Sequence, residues 1–429
     1  MSGRSPAPAK PSLAARVRAW RNAAAWAARD WIDRAAFPPV AERVLVPARR
    51  KASAAAAAPA PIRRLYVDLS VISRDDAGTG IQRVVRSIRD HLPEACAADV
   101  AIIPLTVNRR RDGYRTADGQ PIVGGPDAVF FGLDFATDSI FRYRRELARF
   151  RRSGGRLWFV LHDILPLSHP HWFTHASGVK YRRWLRVCAA LAEGFLCVSP
   201  VVAGQLGGVL RGRYGLTDAP PVATIMLGSN ITAQDRVFDP AALPVSAGLT
   251  AATFARAALV VGTLEPRKGH ADVLDAFDRL WAAGHEIPLV LIGRPGWNTE
   301  ALQQRIRRHP RHAQLLFWLD AVDDAGLRAA YSQCRVAIVP SLAEGYGLPL
   351  DEALALGAPV LARDIAVFRR HGADDIRFFA ETASPAEIAA AIAACLTGPR
   401  ITPAAQSLTR WRETTDQCLA AMGCDRAGV

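Results

Sequence analysis

From Arg64 onward, short apolar runs alternate with helix-length segments, and this alternation narrows the fold more than any other feature of the chain. A first set of runs covers residues 65–69, 100–103, 129–131, 156–161 and 195–198. A second covers 257–261, 288–292, 315–318, 336–339 and 359–361. Between them lie helical segments such as 84–91, 184–191, 272–283, 299–308 and 325–332. Strands that alternate with helices form parallel sheets, because each return to the same sheet edge needs a crossover. Two sets predict two α/β domains, residues 61–245 and 250–405, with the Pro/Ala/Gly-rich stretch 240–250 as linker. Residues 406–429 close the chain with a helix over 407–422.

The chain has 429 residues, half of them apolar, enough for two or three domains with real cores. No apolar run reaches the roughly 18 residues that a membrane-crossing helix needs. Arginines interrupt the N-terminal apolar residues, so no signal peptide is expected. Seven cysteines are scattered without a Cys-x-x-Cys pair, a pattern of reduced thiols in a cytoplasmic protein.

The net charge of +14 is uneven: residues 1–64 hold thirteen Lys/Arg against three Asp/Glu, and the remainder carries only +4. Leu13, Val17, Trp20, Ala24, Ala27 and Trp31 recur at helical spacing, with Arg18, Arg21, Asn22 and Arg29 opposite. Residues 1–60 therefore form a basic amphipathic tail ending in an alanine-rich linker. A helix of this kind suits an anionic membrane surface; docking on the protein's own body, or no fixed structure, are the other readings. Nucleic acid is not expected as a partner, since no aromatic-basic motif accompanies the charge in the globular part.

Pro340 to Val360 carries the most chemistry. Glu344 and Glu352 stand with seven residues between them. The turn Gly345-Tyr346-Gly347 allows backbone to approach a ligand closely. Pro349 suits the first turn of a helix, and Asp351 and Glu352 sit near its positive end. Glu344 follows a buried strand, at the carboxyl edge where parallel sheets bind ligands. The string from Val260 to Gly269 runs from strand to glycine turn to Arg267-Lys268 and into a helix. Two cations near a helix start are unfavourable unless an anion meets them.

These two strings resemble the retaining glycosyltransferases of family 4, which have the GT-B fold. The resemblance implies two Rossmann-like domains facing a cleft, with donor mainly on the second domain and acceptor mainly on the first. It implies that Glu344 meets the donor sugar and Glu352 the ribose hydroxyls. It places Arg267, Lys268, Gly262 and Gly80 at the donor phosphates. Gly293, Ala321, Val322, Gly345, Tyr346, Gly347 and Leu348 would form the nucleotide loops. His162, within Leu161-His162-Asp163-Ile164-Leu165-Pro166, would face the donor sugar; Asp163 would orient it or bind acceptor. Gln82 and Arg83, after the Gly78/Gly80 loop, are acceptor candidates.

The strings DLSVISRDDAGTGIQRVVR and LHDILPL are similar to those of bacterial mannosyltransferases of O-antigen or surface polysaccharide synthesis. They imply GDP-mannose as donor, with UDP- or dTDP-sugars as alternatives. The implied acceptor is a lipid-linked glycan, and the implied location is the inner face of the plasma membrane. No cofactor is expected. No metal is assigned: His169, His171 and His175 lie close in sequence, but no carboxylate or cysteine completes a usual zinc set.

Two other classes fit an α/β chain. A non-catalytic GT-B partner is opposed by the intact Arg267, Lys268, Glu344 and Glu352. A nucleotide-dependent oxidoreductase is opposed by the incomplete G-x-G-x-x-G, whose third position is Arg83.

Overall fold

The computed structural model describes residues 60–76, 78–108, 113–229, 231, 240–245, 248–371, 375–398, 403 and 409–424. The basic tail predicted over residues 1–60 lies outside them, save for Ala60. Two Rossmann-like α/β domains follow, the architecture expected of a GT-B protein.

The first domain contains β1 (Arg64–Asp68), α1 (Gly80–Ala95), β2 (Ala101–Asn108), β3 (Gly113–Arg115) and β4 (Ala128–Gly132). It continues with α2 (Thr137–Arg142), α3 (Arg144–Arg152), β5 (Arg156–Leu161), α4 (Leu165–Ser168), α5 (His175–Leu191), β6 (Gly194–Cys197), α6 (Pro200–Gly212) and β7 (Val222–Thr224). Its sheet runs β3-β2-β1-β4-β5-β6-β7. Only β3 pairs antiparallel, and it lies at the edge.

The second domain contains α7 (Ala251–Arg256), β8 (Ala258–Val261), α8 (His270–Ala282), β9 (Leu289–Ile292), α9 (Glu300–Arg307) and β10 (Leu316–Leu319). Then come α10 (Asp324–Gln333), β11 (Val336–Val339), α11 (Leu348–Ala355), β12 (Val360–Arg363), β13 (Ile376–Phe379) and α12 (Pro385–Thr397). Its all-parallel sheet has the order β10-β9-β8-β11-β12-β13. Chain direction across this sheet reverses between β8 and β11, which pair Val336 with Ala258 and Ala337 with Leu259. Loops diverge at such a reversal and leave a crevice at the carboxyl edge.

Apolar layers cover both faces of the second sheet. One face packs Leu259, Val290, Ala337 and Val360 against α10 and α11; the other packs Val260, Leu291, Ile338 and Leu361 against α8 and α12. Leu243 and Leu249, within the stretch expected to link the domains, are buried in this second core. The C-terminal helix α13 (Trp411–Met422) returns to the first domain. There Thr414 Oγ1 donates to the Met226 carbonyl at 2.7 Å, and Gln417 accepts from the Met226 amide at 2.7 Å. All seven cysteines are buried, and none forms a disulfide. Among the described residues, no helix is long and apolar enough to cross a membrane.

Candidate active site in the interdomain cleft

Strands β8 and β11 deliver the central charges to the reversal point. After β8, Pro266–Lys268 makes a single 3-10 turn that ends at Gly269, the residue before α8. The loop after β11 brings Glu344 against that turn. One Glu344 oxygen accepts from Arg267 Nη1 at 2.7 Å. The other accepts from Lys268 Nζ at 2.5 Å and from Ser341 Oγ at 2.8 Å. Arg267 Nε also donates to Glu265 at 2.8 Å. Burial pushes the Glu344 carboxyl upward, but the two cations outweigh it and hold it at about 2. The carboxylate is thus ionised at any physiological pH although little of it meets water.

The first domain faces this cluster with the end of β5. A Cβ at Gly345 would run into the His162 carbonyl oxygen, so only glycine lets the two domains approach here. Ser199, which caps α6, donates to the Gly345 carbonyl at 2.7 Å and locks the contact. Asp163 lies close enough to feel Arg267 and Glu344 electrostatically; burial raises its carboxyl and Arg267 lowers it. Its side chain also accepts from the Leu165 amide at 3.0 Å, fixing the start of α4. His162 Nε2 is buried with no hydrogen-bond partner, and burial holds the ring down at about 4. A neutral imidazole with one idle nitrogen beside a charged cleft is ready to meet a ligand hydroxyl.

The glycine loops follow the strands of the same sheet edge. Gly262 and Gly293 end β8 and β9, and a Cβ at Gly293 would strike the Gly262 carbonyl oxygen; both hold positive φ. A Cβ at Gly80 would come into van der Waals contact with Leu348 of the second domain. Ala321 and Val322 lie just past β10, before the Asp323 cap of α10. Tyr346 is turned inward, its hydroxyl donating to the Leu227 carbonyl at 2.9 Å.

The acceptor candidates have other partners here. Gln82 completes a capping box with Thr79 and donates to the Asp75 carbonyl at 2.7 Å, so its side chain is used at the start of α1. Arg83 reaches across the cleft to Glu352 and stands 3.7 Å from Asp324. Burial outweighs Arg83 and lifts the Glu352 carboxyl. Arg83, Glu352, Tyr331, Arg328 and Trp411 line a cavity of about 260 Å³ beside this pair. His169, His171 and His175 do not gather into a metal set, and no such group occurs among the described residues.

Three supporting residues carry no sequence-level prediction. Arg363, buried at the end of β12, donates to the Pro340 carbonyl at 2.9 Å and to Asp272 at 2.6 Å, anchoring the Glu344 loop. Arg370 bonds Asp351 and the Tyr346 carbonyl and lies over the Tyr346 ring. Ser341 is the third donor to Glu344. An arginine ending a buried strand, and the run Arg369-Arg370-His371, are the signals that point to the first two.

Residues 252–416 match the family model described as glycosyl transferases group 1. The serotype-specific mannosyltransferase WbdA of Escherichia coli is 35% identical over 347 residues, covering 77% of this chain and 42% of that protein. The chain thus spans about two fifths of the length of these relatives. O-antigen chain mannosyltransferase B of Escherichia coli is 36% identical over 109 residues, 25% of this chain and 28% of that protein. Sucrose-phosphate synthase from Thermosynechococcus elongatus superposes with a TM-score of 0.57 at 16% identity, covering 84% of this chain and 98% of that one. Anabaena HepE, solved with UDP and glucose, gives 0.52 at 15% identity over 85% and 95%. Likeness at this identity establishes a shared fold.

Proposed function

We propose that this chain, which carries a group 1 glycosyl transferase domain in a GT-B fold, moves a hexose from a nucleotide-sugar to a hydroxyl of a growing polysaccharide, with retention at the anomeric carbon. The observation that carries this reading is the ionised Glu344 held between Arg267 and Lys268, directly opposite His162 and Asp163.

Arg267 and Lys268 take the diphosphate, whose negative charge grows as it leaves; fixed cations favour that state more than the ground state. Gly80 and Gly262 leave room for phosphate oxygens near the backbone, and the loops at Gly293, Ala321 and Val322 meet the nucleoside. Glu352 takes the ribose hydroxyls, displacing or sharing Arg83. The idle nitrogen of His162 bonds a sugar hydroxyl, and Glu344 attends the reacting carbon. The bond from that carbon to the diphosphate breaks as the acceptor oxygen bonds on the same face. The acceptor proton leaves with the phosphate.

Mannose from GDP-mannose is the preferred donor, supported by the mannosyltransferases among the relatives; UDP- and dTDP-sugars are the alternatives. The two cations can carry the diphosphate charge, so no metal is required. A lipid-linked acceptor at the inner membrane face, approached by residues 1–60, completes the proposal.

A thermal-shift screen with GDP, UDP, dTDP and NADH tests it. The largest upward shift is expected with GDP. A larger shift with UDP or dTDP moves the donor assignment, and a shift with NADH alone overturns the transfer reading.

A further inference from the structure

Both domains contribute to one aromatic cluster. Trp172, in a 3-10 turn after α4, follows Asp163 along the first domain. Trp297 follows Gly293 along the second. Trp297 Nε1 donates to the Trp172 carbonyl at 3.0 Å, and Asn298 Nδ2 reaches the same oxygen at 3.3 Å. Asn298 is held at φ 56°, an uncommon conformation for a residue with a side chain. The His169 ring lies parallel on Trp172 at 4.2 Å, and Phe173 stands 6.0 Å from Trp297.

Trp297 is 38% exposed, the only aromatic among the large apolar side chains that are exposed in the described residues. Its hydrogen bond fixes the indole without burying it. A large rigid ring held open costs little conformational entropy on binding, which is why tryptophan is favoured at recognition sites. Trp172 in turn carries the His169 ring on one face and has His171 at 5.3 Å, and Ser168 Oγ meets His169 Nδ1 at 2.9 Å. With Asn298, these neighbours offer imidazoles, a hydroxyl and an amide, groups that can exchange hydrogen bonds with ligand hydroxyls.

A pyranose has one face of C–H groups and an edge of hydroxyls. Aromatic rings match the first, and short polar side chains match the second. We infer that Trp297 with Trp172 and Phe173 forms a platform for the acceptor glycan, stacking sugar units beyond the one that receives the new residue. This inference rests on the transfer reading for the direction of the chain, but not for the binding itself. The platform gives an extended acceptor more contact than a short one, so it selects for length.

Tryptophan fluorescence of the full chain, titrated with mannose and α-linked mannooligosaccharides without donor, tests the platform directly. Affinity is expected to rise with length, and Trp297→Ala to abolish the rise. In turnover, Trp297→Ala is expected to raise KM for a long acceptor about tenfold, near 1.4 kcal/mol, while kcat holds. Trp297→Phe keeps a ring but loses the bond to Trp172, and is expected to retain most of the length dependence. If Trp297→Phe fails as completely as Trp297→Ala, the residue is an interdomain clasp and the platform is overturned. Length-independent binding by the wild type overturns it as well. Length-dependent binding without turnover of any nucleotide-sugar upholds the platform and sinks the transfer reading instead.

Discussion

Each domain buries a carboxyl group at the carboxyl edge of its sheet, and the two behave in opposite ways. Asp68 ends β1 of the first domain. It accepts from the Ser70 amide at 2.9 Å and the Tyr114 hydroxyl at 3.0 Å. Among the described residues no cation bonds it, and Asp134, which accepts from the amides of Val71 and Ile72, stands near. Burial and the charge of Asp134 push Asp68 up to about 7. Glu344 is also largely buried, its side chain 7% exposed, yet Arg267 and Lys268 hold it at about 2. Burial alone therefore does not decide ionisation; the partner does. The first domain uses its acid to pin a turn through an amide and a phenol, without a cation. The second keeps a full negative charge, and two positive ones, where a charged ligand is to arrive.

Breaking the second arrangement gives the largest effects. Glu344→Gln keeps the side-chain shape and removes the charge. Turnover is expected to fall by about 10²–10³-fold or more, measured as donor consumption with acceptor present. The variant also leaves Lys268 largely buried without its counter-charge and Arg267 with Glu265 alone, at a cost of about 3–5 kcal/mol in urea unfolding. GDP should then stabilise the variant more than the wild type, because the diphosphate replaces the missing negative charge. Equal stabilisation of both proteins would detach the cations from the diphosphate.

Next in size is Arg267→Ala with Lys268→Ala. Each charge-assisted hydrogen bond contributes about 1.5–3 kcal/mol, so calorimetric affinity for GDP is expected to fall roughly 100-fold or more. The Glu344 carboxyl, freed from its cations, should rise from about 2, which a carboxyl-resolved NMR titration would detect. Unchanged GDP affinity would remove the phosphate role while leaving Glu344 untouched.

Much of this contrast is legible in sequence on one side only. The parallel-sheet pattern is visible because fully buried strands such as β8, β9 and β11 are unbroken apolar runs. Strands β3 and β7 have three residues each, and β13 is interrupted by Arg377, so periodicity does not reveal them. Glu344, Arg267 and Lys268 stand out because helix and loop chemistry make their charges awkward without a ligand. Their direct pairing does not stand out, since Lys268 and Glu344 meet only when β8 and β11 become neighbours. The same holds for Arg83 with Glu352 and for Ser199 with Gly345, contacts between domains that no local pattern encodes. Asp68 was equally hidden: a single aspartate at the end of Leu65-Tyr66-Val67-Asp68 reads as a strand terminus, and its burial depends on Tyr114 of β3.

Asp68 also supplies the smallest effect and the sharpest check on the comparison. Its carboxyl is raised in the folded protein, from an ordinary 3.8 to about 7. Between those values the folded state keeps a proton that the unfolded state has lost. Stability from this group is therefore complete below about pH 4, declines as pH rises, and is lost above about pH 7. Asp68→Asn keeps an acceptor for Ser70 and Tyr114 but cannot ionise. Its unfolding free energy should lack this decline, so the difference between variant and wild type should change by one proton's worth of slope across the window. His162 works in the opposite direction. Held at about 4, it makes the folded state lose stability as pH falls from 6.5, so the difference curve is needed to isolate Asp68. Turnover at constant pH should change little, because Asp68 holds a turn and touches no charge of the Glu344 cluster. If Asp68→Asn instead matched the wild type at every pH, the acid would be ionised in the fold. The two domains would then handle their buried carboxylates alike.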